Sequence, residues 1–128
     1  MSHHSEQVYL NSMSKVGLRT FFTIARLWNL SPKEEAILLG LPNQDTLAEI
    51  CDEKNSSIIT EETLLRISYV LGIYKQLNTL FPMPKNADQW LSMTNSAPLF
   101  SGESALSFLL KKPGKHLPQL LGYLRNVV

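Results

Sequence analysis

The sequence predicts an all-α fold with an N-terminal helix-turn-helix unit, one long central helix and a small C-terminal helical unit. Apolar residues recur at helical spacing through most of the chain, helix start and stop signals separate the segments, and no stretch alternates as a strand does. The chain has 128 residues, of which 44% are apolar and 18% are charged, so it can bury a core as one domain or as two small helical units.

The first predicted helix covers residues 16–29. Its apolar residues return every three or four positions and share one face: Leu18, Phe21, Phe22, Ala25 and Trp28. Residues 1–15 contain no apolar signal core, so we expect a flexible N-terminal tail on a cytoplasmic protein, with His3 and His4 in the tail rather than in a metal site. No apolar run reaches the ~18 residues that a membrane span needs, so we expect no membrane partner.

The next segment has the outline of a helix-turn-helix. Ser31 is an N-cap followed by proline and by a glutamate at N3, which predicts a helix over residues 32–39 that ends at Gly40. After a turn, residues 46–51 form a second short helix whose two large aliphatic residues face inward. An ordinary αα-hairpin uses the same residue types for the same steric reasons, so the spacing alone leaves both interpretations open.

Charge is distributed unevenly along the chain. The net charge is +2 over residues 1–30, −6 over residues 31–63 and +5 over residues 64–128, although the whole chain carries only +1. A DNA-binding protein usually concentrates positive charge on the surface that reads DNA, because phosphate neutralisation dominates affinity. This chain concentrates negative charge there, which argues against tight DNA binding by a single copy.

A polar loop follows, and Thr60 then caps a long helix that continues to about residue 81. Its apolar surface is wide, because a near-heptad series is flanked by further apolar residues: Leu64, Ile67, Leu71, Tyr74, Leu77 and Phe81, with Leu65, Val70, Ile73 and Leu80. So wide a surface predicts contacts on two sides, namely the core and a dimer partner, and we therefore expect a homodimer.

Three shorter pieces complete the chain. Asn86 caps a predicted helix that runs through Trp90 to Met93, the loop "TNSAPLFSG" follows, and the helix "ESALSFLLKK" stops before Pro113. The last helix begins at about residue 116 with Pro118 in its first turn.

The last helix has a broad apolar face, which includes Leu117, Leu120, Leu121 and Leu124. Two interpretations remain open for it. The helix packs on Trp90, Phe100 and Phe108 of its own chain, or it enters the groove of a partner protein.

No residue pattern indicates catalysis. The sequence lacks a glycine-rich phosphate loop, metal-ligand spacing and a recognisable Ser, His and Asp motif. Cys51 is the single cysteine, which excludes an internal disulfide and a multi-cysteine zinc site and favours a buried apolar role. We therefore expect no enzyme activity, no cofactor and no metal.

In sequence order, four segments resemble the Xre/MbcA/ParS family of bacterial type II antitoxins: "LRTFFTIARLWNLSPKEEAILLGL", "TLLRISYVLGIYKQLNTLFP", "WLSMTNSAPLFSGESALSFLL" and "LLGYLRNVV". The resemblance runs from about residue 16 to the end. Residues 38–41 match the end of the family's first helix-turn-helix helix, residues 64–82 its core helix and residues 90–109 its toxin-binding segment. Ala105 departs from the proline that is common in the family, and Asn95 lacks the proline that usually precedes it.

The resemblance implies that two parts of the chain have different functions. Residues 16–83 would hold the helix-turn-helix and dimerisation helix and would repress the protein's own operon by binding operator DNA. Residues 86–128 would form a toxin-binding domain for a RES-type toxin that attacks NAD. The mechanism is steric occlusion of the toxin's pocket, so no catalytic residue is needed. The alternative function is a stand-alone helix-turn-helix transcriptional regulator whose C-terminal half only dimerises.

The resemblance also implies site residues. The toxin-binding set comprises residues that shape the segment and residues on the last helix that block the toxin: Trp90, Asn95, Phe100 and Gly102, with Leu120, Tyr123, Leu124, Arg125, Val127 and Val128. The DNA-binding set consists of two cations near the start of the first helix and three polar residues in or next to the turn: Lys15, Arg19, Asn43, Gln44 and Thr46. Asn and Gln side chains are able to read adenine.

Overall fold

The computed structural model of the protein describes residues 3–51 and 59–127, with side chains from 15 to 50 and from 59 to 127. The described chain is all-α, as the sequence predicts. Its helices are α1 (His3–Leu27), α2 (Pro32–Leu39), α3 (Thr46–Cys51), α4 (Glu61–Leu80), α5 (Pro84–Trp90), α6 (Ala105–Lys111) and α7 (Pro113–Arg125), with one 3-10 turn at Pro98–Phe100. Within these residues, none of the helices combines the length and the apolar character that crossing a membrane requires.

Helix α1 is longer than the sequence predicts. It begins at His3, so residues 3–15 are helical where we expected a flexible tail. No proline or glycine occurs between residues 3 and 16, and a helix that has already been nucleated by the packed part of α1 continues through such a segment. The side chains of His3 and His4 lie outside the described part.

The α2–α3 hairpin has the predicted bounds and the predicted caps. The Glu34 backbone N–H donates to the Ser31 hydroxyl over 3.2 Å, and the Ser31 backbone N–H donates to the Glu34 carboxylate over 2.9 Å, which completes a capping box. Gly40 ends α2 with φ at +78°, a left-handed conformation that favours glycine. Leu47 and Ile50 of α3 are buried as expected. The Cys51 side chain and the loop over 52–58 lie outside the described residues.

The C-terminal end of α2 is held by α4. The buried Thr63 hydroxyl donates to the Leu39 carbonyl over 2.9 Å. The Arg66 guanidinium donates through Nη1 to the Ile37 carbonyl over 3.3 Å and through Nε to Glu62 over 3.1 Å. Carbonyls of the last helical turn lack their usual partners within the helix. Thr63 satisfies the Leu39 carbonyl, and Arg66 adds a charged donor to the Ile37 carbonyl, which also accepts the Gly40 N–H over 3.2 Å.

Helix α4 lies at the centre and packs against both α1 and α7. A Cβ atom at Gly72 would lie 3.0 Å from Leu121 Cδ2, which shows how closely α4 and α7 approach. Most of the wide apolar surface of α4 is therefore used within the chain, where α1 and α7 supply contacts on two sides. Buried residues from both halves of the chain join in a single core cluster.

Two helix starts differ from the predictions. Helix α5 begins at Pro84 rather than after an Asn86 cap, and α7 begins at Pro113 rather than at about residue 116. In both places proline occupies the first helical position, where its missing N–H costs nothing and its fixed φ suits the helix. Pro118 consequently lies inside α7 instead of in its first turn.

Candidate partner-binding groove

A surface groove of about 320 Å³ lies where the end of α4 meets α5, the following loop and the end of α7. We call it the C-terminal groove. Its lining combines five of the sequence-predicted toxin-binding residues with two residues from the end of α4: Trp90, Asn95, Tyr123, Leu124 and Val127, with Leu80 and Phe81. The fold thus brings together residues that the resemblance assigned to separate segments.

Phe100 supports the aromatic wall of this groove from below. It is buried, and its ring meets Trp90 at a centroid distance of 5.9 Å and Tyr123 at 5.5 Å, both close to edge-to-face. A third edge-to-face contact joins Phe100 to Phe108 at 5.7 Å. Such pairs contribute beyond simple burial and fix ring orientation, so Phe100 positions the two groove aromatics rather than contacting a partner itself.

The loop between α5 and α6 is closed by backbone hydrogen bonds. The Asn95 N–H donates to the Glu103 carbonyl over 3.1 Å, and the Leu106 N–H donates to the Leu91 carbonyl over 2.8 Å. The Asn95 side-chain oxygen accepts the Ala97 N–H over 2.9 Å, which makes a local turn. Within the described part of the chain its amide nitrogen makes no hydrogen bond, so a donor is left at the groove.

Gly102 belongs to the same loop but does not line the groove. Its φ is +84° and a Cβ atom there would meet no heavy atom within 4 Å. Backbone conformation, rather than space, therefore explains glycine at this position.

Helix α7 divides into an anchoring face and an exposed end. Leu120 and Leu124 are buried, so Leu120 holds α7 in the core and does not offer a direct contact to a partner. Arg125 and Val127 are exposed at the end of the chain's described part. Val128 lies outside the described residues. The interpretation in which α7 packs on its own chain holds for the inner face.

Leu80 and Phe81 line the groove although the sequence analysis did not assign them to it. They continue the apolar stripe of α4, and the pattern gave no sign that its last turn projects beyond the core. Two exposed methionines, Met83 and Met93, follow Phe81 and Trp90 in the chain. They are close to groove residues in sequence, but neither of them lines the groove.

Charged groups lie beyond the loop. Lys111 donates to Glu103, and this hydrogen bond and the charge of Lys111 lower the pKa of the Glu103 carboxyl. At the junction of α6 and α7, the His116 ring stacks on Phe108 at 3.9 Å and contacts the Phe108 carbonyl through Nδ1. Both contacts fix the α6–α7 corner that supports the end of α7.

The predicted DNA-binding residues lie on two elements. Lys15 and Arg19 are exposed on α1, and Gln44 is exposed in the turn before α3. The Asn43 side-chain oxygen accepts both the backbone N–H and the hydroxyl of Thr46, each over 3.1 Å. This turn before α3 therefore engages the Asn43 side-chain oxygen and the Thr46 hydroxyl, two groups that would otherwise be free to contact a base.

The surface around α3 is acidic, because Glu49 of α3 and Asp45, which immediately precedes α3, are both exposed. On α2, partial burial raises the pKa of the Glu35 carboxyl. The described residues contain no group of three or more His, Cys, Asp or Glu side chains arranged to hold a metal ion.

The chain is 35% identical over 94 residues to the uncharacterized protein y4oB of Sinorhizobium fredii (strain NBRC 101917 / NGR234), a match that spans 73% of this chain and 70% of that relative. No family model matches the chain. No solved structure matches it either.

Proposed function

We propose an antitoxin function for this chain, which belongs to the same family as the uncharacterized protein y4oB. In this proposal the chain binds a RES-type toxin and sterically blocks the toxin's NAD pocket. The observation that carries the proposal is the C-terminal groove, in which five residues of the predicted toxin-binding set line one surface beside the exposed end of α7.

The groove has the character of a protein-binding surface. Trp90, Tyr123 and Phe81 supply large apolar area with little rotational freedom, and Asn95 supplies an unused donor. Aromatic residues of this kind dominate binding energy at protein interfaces. We expect an apolar side chain of the toxin to enter the groove.

The end of α7 supplies the blocking group. Its buried leucines anchor the helix against α4, so the residues that follow are presented from a rigid support and lose little conformational entropy on binding. Val127 is 47% exposed and Arg125 is exposed beside it. In this mechanism these residues cover the entrance of the toxin's pocket, and the toxin's substrate is excluded without any chemical step by the antitoxin.

DNA binding is the second candidate function, and the capped α2–α3 hairpin is the observation that favours it. The exposed acids of α3 oppose phosphate contact. We therefore propose operator binding only through a complex in which a partner protein adds basic surface, and not through α3 alone.

The test is co-expression with a RES-type toxin from the same genome, with the toxin tagged and the antitoxin untagged. We expect the wild-type chain to co-purify in a fixed ratio and Val127→Asp to be lost. The matched control is Leu65→Asp, because Leu65 is also an aliphatic residue, is 46% exposed and does not line the groove. Equal retention of both variants would refute a role for the end of α7, and failure of the wild-type chain to co-purify would refute the antitoxin function.

A further inference from the structure

Two neighbouring lines of exposed side chains run along the outer surface of α1. Lys15, Arg19 and Arg26 are exposed at helical spacings of four and seven, so they fall on one line. Val16 is 63% exposed and Leu27 is 44% exposed. Their spacing of eleven residues, or three helical turns, places both on the line next to the cations. These five residues form what we call the α1 outer face, which is basic along one edge and apolar along the other.

A second groove lies between α2 and the turn that follows it. Its volume is about 310 Å³, and it is lined mainly by apolar side chains together with one cation and two amides: Ala36, Ile37, Leu41, Pro42, Lys33, Asn43 and Gln44. Asp45 and Glu49 are exposed on the adjoining end of the hairpin. We call this surface the α2–α3 groove. Its lining is mainly apolar, and the acidic Asp45 directly follows the lining residue Gln44 in the chain.

The two surfaces are complementary in apolar character and in charge. The α1 outer face offers aliphatic side chains that suit an apolar groove, and its cations suit the exposed acids beside that groove. The surface that we first assigned to self-association, the broad stripe of α4, is largely covered within the chain by α1 and α7, although Leu65 is 46% exposed. Another surface therefore suits self-association better.

We propose that the occupant of the α2–α3 groove is α1 of a second copy of this chain. Leu27 of one copy enters the groove of the other, and cations of the basic edge lie against Asp45 and Glu49. In the proposed dimer a twofold axis relates the two copies, so that each α1 outer face occupies the α2–α3 groove of the other copy and the assembly closes at two chains. Complementary charges fix the register of such an interface and speed association.

In this interface Asp45 and Glu49 meet cations of a second copy rather than phosphates, which accounts for the acidic charge of the hairpin. It also goes beyond the antitoxin function, since it concerns the chain alone. The experiment below contains no toxin, so its outcome is independent of whether a toxin binds.

The test is a charge-swap series followed by sedimentation velocity on the full chain. The first variant carries Arg19→Glu and Arg26→Glu, and the second carries Asp45→Lys and Glu49→Lys. All four positions are exposed, and circular dichroism checks that each variant keeps its helix content. The wild-type chain is expected to be a dimer whose dissociation constant rises with salt concentration.

Each variant alone is expected to be a monomer, because it places like charges across both contacts. An equimolar mixture of the two variants is expected to form a heterodimer, because every contact then joins opposite charges. Wild-type protein that is monomeric at all concentrations would overturn the proposal. Variants that dimerise as well as the wild type, a mixture that stays monomeric, or growth beyond the dimer would also overturn it.

A matched pair of alanine substitutions tests the apolar half of the interface. Leu27→Ala removes a side chain that is 44% exposed, and Leu65→Ala removes one that is 46% exposed on α4. We expect Leu27→Ala to raise the dimer dissociation constant about tenfold and Leu65→Ala to leave it unchanged. Equal effects of the two substitutions would contradict the assigned surface.

Discussion

Arg66 joins three helices, and its removal yields a prediction whose size follows from the structure. Its guanidinium donates to the Ile37 carbonyl at the end of α2 and to Glu62 one turn earlier on α4. A Cβ atom at Gly40 would lie 3.0 Å from this guanidinium, and one at Gly114, in the first turn of α7, would lie 3.2 Å from its Nη2 atom. Two glycines from different elements therefore enclose the same charged group.

The two hydrogen bonds of Arg66 differ in strength. The bond to the Ile37 carbonyl is charge-assisted and partly buried, and such bonds contribute about 1.5–3 kcal/mol. The ion pair with Glu62, whose side chain is 59% exposed, adds at most ~0.5 kcal/mol. We expect Arg66→Ala to lower the free energy of unfolding by about 2 kcal/mol.

The same geometry predicts a coupling with Gly114. Alanine in a helix is favoured over glycine by ~0.5–1 kcal/mol, but in the wild type this gain is offset because the guanidinium must yield. In the Arg66→Ala background the gain of Gly114→Ala is expected in full. Gly40→Ala is expected to cost ~1–2 kcal/mol in the Arg66→Ala background, because its φ of +78° strains any residue with a Cβ atom. In the wild type the cost is expected to be larger, because the new Cβ atom would also lie 3.0 Å from the guanidinium.

The assay is urea unfolding followed by circular dichroism, applied to the wild type, the single variants and the double variants. Protein concentration is held constant throughout, since self-association would change the apparent stability. If Gly114→Ala stabilised both backgrounds equally, the reasoning that places the guanidinium between α2 and α7 would be wrong.

The remaining predictions concern stability and its dependence on pH. Thr63→Val keeps the shape but removes the donor to the Leu39 carbonyl, so we expect a loss of about 1 kcal/mol in urea unfolding, and no loss would contradict that bond. Phe100→Ala removes the buried support of two groove aromatics and should cost about 3–5 kcal/mol, whereas a change in thermal midpoint no larger than that of Leu65→Ala would refute its role. Lys111 lowers the pKa of Glu103, so their pairing stabilises the fold above the carboxyl's unfolded pKa, and this contribution is lost as pH falls through the folded pKa. Lys111→Met should therefore lower the melting temperature at neutral pH and match the wild type in acid, and a difference that persisted in acid would rule out this cause.

The parts of the fold that follow local rules were predictable from the sequence. Ser31, Gly40 and Thr60 act as the caps that their neighbours indicate, because capping depends on a few adjacent residues. Proline was misjudged at the starts of α5 and α7, because it was taken as a stop signal where it occupies the first helical position. The length of α1 was missed because its N-terminal half lacks an apolar stripe, although nothing in it interrupts a helix.

Long-range contacts were harder to predict. The apolar stripe of α4 showed that two neighbours were needed, but periodicity does not say whether α7 or a second chain provides the other contact. The same ambiguity hid Leu80 and Phe81, which line the C-terminal groove because of where α5 and α7 end. Trp90, Asn95, Tyr123 and Val127 were assigned through a resemblance, and the fold supplies the groove that places them together.

The most direct test of the antitoxin function is a titration of NAD consumption by a purified RES-type toxin with the full chain. The account predicts that NAD consumption falls in proportion to added protein and stops at a fixed stoichiometric ratio, since occlusion is complete when every pocket is covered. It predicts the same titration for Leu65→Asp and a much weaker one for Val127→Asp. NAD consumption that continues unchanged in an excess of the wild-type chain would contradict the account.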